Sequence, residues 1–168
     1  MKPAACQTTT GPMIEIGKRA PAFTLKNQDD EKVQLSALKG QWVVVYFYPK
    51  DDTPGCTVQA CDFTASIADF EGLDATVLGI SADSTESHRK FIKKHDLAIT
   101  LLSDPDHAVM EKYGAWGEKN MYGKKSMGII RSTVLVDPTG KVAHHWPKVQ
   151  AKGHVDKVRA KLEELQAE

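Results

Sequence analysis

The chain has 168 residues and a mass of 18.5 kDa, with 22 Lys and Arg against 22 Asp and Glu and only three cysteines. That length fits a single domain with a core large enough to fold alone, and a hydrophobic share of 41% argues against a disordered, collagenous or coiled-coil chain. Zero formal charge leaves no bulk basic field for nucleic acid or an anionic membrane, and the longest apolar run, Trp42 to Tyr48, falls far short of the roughly 20 residues of a membrane span.

Residues 1–13 read as a flexible tail ahead of one domain over 14–168. They lack the hydrophobic stretch of a secretory signal, and Pro3-Ala4-Ala5-Cys6 has the look of a lipoprotein cleavage site lying too early in the chain. An odd number of cysteines cannot close into a disulfide scaffold, so a cytoplasmic chain with chemical or incidental thiols is expected, with export or lipid anchoring through the tail as the lesser alternative. Cys6, in the tail, reads as an incidental thiol.

The segments Pro21–Leu25 and Val33–Leu35 flank a polar loop and predict a short edge hairpin, followed by one helical turn over Ser36–Gly40. Trp42–Tyr48 is uniformly apolar and rich in Val and aromatics, the pattern of a central strand covered on both faces. Thr53 and then Pro54 fit a helix N-cap with proline at the first helical position. Ala60, Phe63, Ile67 and Phe70 recur at helical spacing, so one helix is expected to run to Gly72. Ala75–Ile80 predicts a buried strand, Ser84 caps a helix that turns Phe91 and Ile92 inward, and Ile99–Leu102 predicts another strand. A helix carrying Val109, Met110 and Tyr113 is expected to start at Asp104-Pro105.

Residues 114–128 hold four glycines without a clear period and are expected to form a long surface loop. Its Lys124-Lys125, with Trp116, Met121 and Tyr122, reads either as solvated loop or as a contact surface for a partner. Ile129–Val136 predicts a strand, Asp137–Gly140 a type I turn, Lys141–Trp146 the returning strand, and His154–Gln166 a final amphipathic helix. His144 and His145 point to opposite faces of a strand and make no chelating pair, while His88, His95, His107 and His154 are expected on helix surfaces. Alternating strands and helices followed by a hairpin and a helix give an α/β domain.

Cys56 is the first candidate for chemistry. It falls in the first turn of a predicted helix, where unpaired backbone N–H groups and the helix dipole favour an anion, so its thiol is expected to ionise readily; packing of a small thiol on the Ala60 stripe is the alternative. Cys61 lies five residues on, about 7.5 Å along the axis and about 140° around it in an intact helix. A disulfide needs Cα atoms about 4.4 to 6.8 Å apart, so joining the two thiols requires the first turns to unwind. The pair reads either as a reversible redox couple with a built-in conformational step or as two unrelated core cysteines. No zinc-type Cys/His spacing accompanies them, and C-x4-C is not the C-x-x-C of a disulfide oxidoreductase.

Pro49-x-x-x-Thr53-x-x-Cys56 matches the peroxiredoxin signature P-x-x-x-T-x-x-C. Its surroundings, Val45-Tyr-Phe-Tyr-Pro-Lys-Asp-Asp-Thr-Pro-Gly-Cys-Thr57 and then Cys61, resemble the peroxiredoxin Q or bacterioferritin comigratory protein subfamily. Gly17–Leu25, Val77–Ala82 and Arg131–Asp137 resemble further stretches of that family, so the likeness covers about residues 14–165. It implies a thioredoxin-like fold, a mixed β-sheet flanked by helices, and thiol-dependent reduction of hydrogen peroxide and alkyl hydroperoxides by a monomer. By the same likeness Cys56 is the peroxidatic cysteine that becomes a sulfenic acid. Cys61 is the resolving cysteine that closes a Cys56–Cys61 disulfide, and thioredoxin or a related dithiol reductant reopens it. Thr53 orients thiolate and peroxide, and Pro49 shields the pocket. Arg131, which from its position alone reads as a strand-end surface charge, becomes the arginine that stabilises the thiolate and polarises the peroxide. No metal, flavin or haem is implied. Gln59 stands where the subfamily commonly has Glu, which keeps the acceptor oxygen and drops the charge. A general disulfide reductase and a redox-switched holdase on the same fold are the alternatives.

Overall fold

The structure, a computed structural model, describes residues 14–121 and 123–167, so the expected tail and Cys6 lie outside the described residues. The apolar segment Trp42–Phe47 forms β3, and its alternation divides the core. Val43, Val45 and Phe47 face one cluster, while Val44, Tyr46 and Tyr48 face the other. A strand buried on both sides needs partners on both edges, and β3 has them. It pairs in parallel with β4 (Ala75–Ser81) and antiparallel with β8 (Ser132–Val136).

The remaining strands are β1 (Thr24–Asn27), β2 (Lys32–Gln34), β5 (Thr100–Ser103) and β9 (Val142–Trp146), and the seven-stranded mixed sheet runs β9-β8-β3-β4-β5-β1-β2. A 3-10 turn at Leu35–Leu38 follows β2. Helices α1 (Pro54–Ala65), α2 (Ile67–Gly72), α3 (Thr85–His95) and α5 (His154–Gln166) cover one face through Phe63, Phe70, Phe91 and Val158. Helix α4 (Ala108–Lys112) packs Val109 and Met110 into the other cluster. The expected edge hairpin, central strand, Ser84 cap and closing helix all form. Ser84 Oγ accepts the Ser87 N–H at 3.1 Å, and Lys93, Lys94 and His95 in the last turn of α3 complement its dipole.

Several expectations are corrected. The helix expected to run unbroken to Gly72 is two helices that part at Ser66 (φ −100°, ψ 6°), a bend that brings the Phe70 ring within 5.7 Å of Phe63. The helix expected from Asp104 begins only at Ala108. The Asp104 carboxylate takes the Met110 N–H at 2.9 Å, and His107 is left-handed (φ 62°), so one irregular turn comes first. Residues 114–128 are mostly not a loop: β6 (Trp116–Met121) and β7 (Lys124–Ile129) form a separate antiparallel hairpin, with Trp116 stacked on His107 at 3.7 Å. Lys124–Met127 are all exposed, so no apolar alternation marks the strand. The strand expected over Ile129–Val136 is interrupted at Ile130 and Arg131. There the chain passes from hairpin to sheet through Ile130 N–H to Ala115 carbonyl (2.7 Å) and Val149 N–H to Arg131 carbonyl (2.9 Å). His88 and His154, expected on surfaces, are 0% and 3% exposed.

Candidate active site

β3 delivers the chain to a tight loop, Pro49–Thr53, from which α1 starts. Thr53 is extended (φ −99°, ψ 157°) and Pro54 opens the helix, as the Thr-Pro pair predicts. The threonine does not cap with its side chain, however. Its Oγ1 donates to the Lys50 carbonyl at 2.9 Å, tying the loop to itself, while its own carbonyl accepts the Thr57 N–H at 2.8 Å. The Thr53 side chain thus leaves the N-terminal backbone donors of α1, at the Cys56 end, uncapped.

Cys56 is 1% exposed in the first turn of α1. Arg131 reaches it from the junction ahead of β8: Nη2 donates to Cys56 Sγ at 3.3 Å and Nη1 to Gln59 Oε1 at 2.7 Å. Cys56 and Gln59 are three residues apart on one helical face, so a single planar guanidinium can serve both. Gln59 is fully buried, and its Nε2 has no partner among the described residues. Gly55 makes room for this fork, because a Cβ there would lie 3.2 Å from Arg131 Nη2.

Pro49 and Arg131 line a cleft of about 480 Å³ together with Lys119, Ile130, Lys148 and Val149. The β6–β7 hairpin supplies one wall and the segment after β9 the other. Cys61 is half-buried and packs against the helix-covered core; it and Cys56 are both free thiols on an intact helix. Tyr46, stacked on Phe63 of α1 at 4.7 Å, has its phenol pushed far up, by burial first and then by negative charge at Cys56 and Asp51, so it stays neutral beneath the site. Among the described residues, no three His, Cys, Asp or Glu side chains converge as a metal site would require.

The structure therefore brings Pro49, Thr53, Cys56 and Arg131 to one end of the sheet and holds Cys61 on the same helix. Sequence reasoning missed the buried contact of His88 with Asp51 beneath the loop, and it missed the cleft walls Lys119, Ile130 and Val149. Ile130 adjoins Arg131 in the chain, but the β6–β7 hairpin brings Lys119 there and the Val149 N–H bond to the Arg131 carbonyl brings the segment after β9, and no local pattern encodes either.

A profile of the AhpC/TSA family matches residues 16–145. Peroxiredoxin Bcp of Bacillus subtilis (strain 168) is 47% identical over 152 residues, which is 90% of this chain and 97% of that protein. Among solved structures, Xanthomonas campestris peroxiredoxin Q superposes with a TM-score of 0.82 at 42% identity, covering 88% of this chain and 96% of that one. The bacterioferritin comigratory protein of the same organism, described for its alkyl peroxide reduction activity, gives 0.83 at 41% identity over 89% and 98%. The fold is the thioredoxin-like fold of these proteins. The chain belongs to the AhpC/TSA family, as a peroxiredoxin of the Bcp and peroxiredoxin Q kind.

Proposed function

We propose that the cleft admits hydrogen peroxide or an alkyl hydroperoxide to the Cys56 thiolate, that Cys61 resolves the product, and that thioredoxin or a related dithiol protein returns the enzyme to its reduced form. The observation that carries this reading is the Arg131 fork on Cys56 Sγ and Gln59 at the start of α1. A permanent cation and a helix N-terminus beside a buried sulfur favour the thiolate, the form that attacks. The thiolate displaces at the terminal peroxide oxygen: an S–O bond forms, the O–O bond breaks, and the leaving alkoxide or hydroxide takes a proton. Sulfur loses two electrons and the peroxide gains them, leaving Cys56 as a sulfenic acid. Arg131 is placed to stabilise charge on both the attacking sulfur and the departing oxygen.

Cys61 then attacks the sulfenic sulfur, forming the disulfide and releasing water. Both thiols sit on one intact helix, so that step requires the first turns of α1 to unwind. The missing side-chain cap eases it, since a cap contributes about 1 kcal/mol to a helix start. The test is peroxide-dependent oxidation of reduced thioredoxin. Cys56→Ser should abolish it, and turnover retained in that variant refutes the assignment. Reduction of insulin without peroxide would favour a disulfide reductase instead, and peroxide consumption no greater than the protein present would favour a redox-switched holdase.

A further inference from the structure

Beneath the active-site loop lies a buried ionisable pair that the peroxide chemistry does not use. The side chains of His88, on α3, and Asp51, in the loop, are 0% and 4% exposed. His88 Nε2 lies 3.0 Å from the Leu102 carbonyl oxygen, which can only accept, so this nitrogen carries a hydrogen. His88 Nδ1 lies 2.7 Å from Asp51 Oδ2, and that contact needs one further proton, on the ring or on the carboxyl. The Asp51 carboxylate also accepts from the Tyr48 hydroxyl at 2.6 Å and the Ser87 hydroxyl at 2.8 Å. Its backbone N–H donates to Asp83 at 2.8 Å, and Asp83 in turn accepts from the Ser81 hydroxyl at 2.7 Å. The end of β3, the end of β4 and the start of α3 thus converge on one loop residue.

The neighbouring tether is of another kind. Asp52, left-handed at φ 58°, accepts from Lys94 at 2.7 Å and contacts His95 at 2.9 Å, but its side chain is 41% exposed, and exposed pairs hold little. Asp51 stands two residues from both Pro49 and Thr53. Cys56, by contrast, has a second hold through Arg131, which comes from the opposite side of the site.

Taking Cys56 as the residue peroxide attacks, we propose that Asp51 and His88 are positioning residues: together they lock the Pro49–Thr53 loop to α3, set where Thr53 and Pro49 meet the peroxide, and keep the loop fixed while the first turns of α1 unwind and reform. Displacing the loop disturbs the peroxide's geometry and leaves the Arg131–Cys56 contact in place.

Asp51→Ala and Asp51→Asn separate this from a general loss of structure. An asparagine can accept from Tyr48 with Oδ1 and donate through Nδ2 to Nδ1 of a neutral His88, whose Nε2–H still serves Leu102; alanine can do neither. Two rates are measured on full-length reduced protein: oxidation of Cys56 by hydrogen peroxide, and alkylation of Cys56 by iodoacetamide, which needs the thiolate but not the peroxide geometry. Asp51→Ala is expected to oxidise at least ~10-fold more slowly and to alkylate within about threefold of wild type, with Asp51→Asn within about threefold in both. If Asp51→Ala does not fold, His88→Gln, whose amide can donate to Asp51 or Leu102 but not both, is expected to show the same split. Wild-type oxidation in Asp51→Ala, equal slowing of both reactions, or an Asp51→Asn as slow as Asp51→Ala overturns the proposal. Wild-type protein inert to peroxide would instead overturn the peroxidase reading on which it rests.

Discussion

Replacing Arg131 by Met keeps much of the side-chain volume and removes both the charge and the fork. The lost contact to Cys56 is a 3.3 Å hydrogen bond from a cation. Bonds to charged groups contribute about 1.5 to 3 kcal/mol, and each ~1.4 kcal/mol is tenfold in rate, so oxidation of Cys56 by peroxide at fixed pH should slow by about 10- to 150-fold. Arg131→Lys retains the charge, but an ammonium cannot span Cys56 and Gln59 as the planar fork does, so a loss of roughly tenfold is expected. Arg131→Met also strands Gln59: among the described residues its Nε2 already lacks a partner, and its Oε1 would lose the Arg131 donor at 2.7 Å. A buried acceptor left unsatisfied costs about 1 to 3 kcal/mol, so the melting temperature should fall as well. Stopped-flow oxidation of the reduced protein, with thermal melts alongside, gives both numbers. An Arg131→Met variant that reacts within about threefold of wild type would show that the arginine neither holds the thiolate nor aids the leaving oxygen.

Three further outcomes follow from other parts of the fold. A Cβ at Gly79 would fall 2.7 Å from Tyr46 Cζ and 2.9 Å from Leu101 Cδ2, so Gly79→Ala should destabilise by about 1 to 3 kcal/mol in a chemical melt, and an unchanged midpoint would contradict the packing beneath α1. His154 is pushed down to about 4 from 6.5 by burial and then by the Lys157 and Arg131 charges. Between those values the unfolded chain binds a proton that the folded chain does not, so stability is full above pH 6.5 and falls as pH drops toward 4, by at most ~1.4 kcal/mol per pH unit. His154→Gln should flatten that slope in melts across the window, and an unaltered slope would exclude the histidine. Oxidation to the Cys56–Cys61 disulfide should strip hydrogen-exchange protection from the start of α1, whereas equal protection in the two states would mean that the helix need not open.

Much of this was legible in the sequence because it is local. The Val- and aromatic-rich run of β3, the Thr53-Pro54 start of α1 and the Ser84 cap each report on their own few residues; the Thr53-Pro54 pair placed Cys56 at a helix start, and the P-x-x-x-T-x-x-C match carried the family resemblance. The break at Ser66 was not legible, since Ile67 and Phe70 continue the helical period and only the packing of Phe70 on Phe63 favours the bend. The β6–β7 hairpin escaped because Lys124–Met127 of β7 are all exposed, with no buried face there to impose alternation. Arg131 shows the limit most clearly. From position alone it read as a strand-end charge, and its meeting with Cys56 depends on β8 lying beside β3, a pairing between residues far apart in the chain. His88 failed for the same reason: its hydrogen-bond partners come from the loop after β3 and from β5, so nothing in the α3 sequence marks it as buried.

The claim on which all of this turns is that peroxide oxidises Cys56 and that Cys61 completes the reaction within one chain. A mass-spectrometric map of the full-length reduced protein after one equivalent of hydrogen peroxide tests it directly. An intramolecular Cys56–Cys61 disulfide is the expected species, replaced in Cys61→Ser by a sulfenic acid on Cys56 that a dimedone probe captures. A disulfide that joins Cys56 to Cys6, or oxidation at Cys61 with Cys56 unmodified, would contradict it.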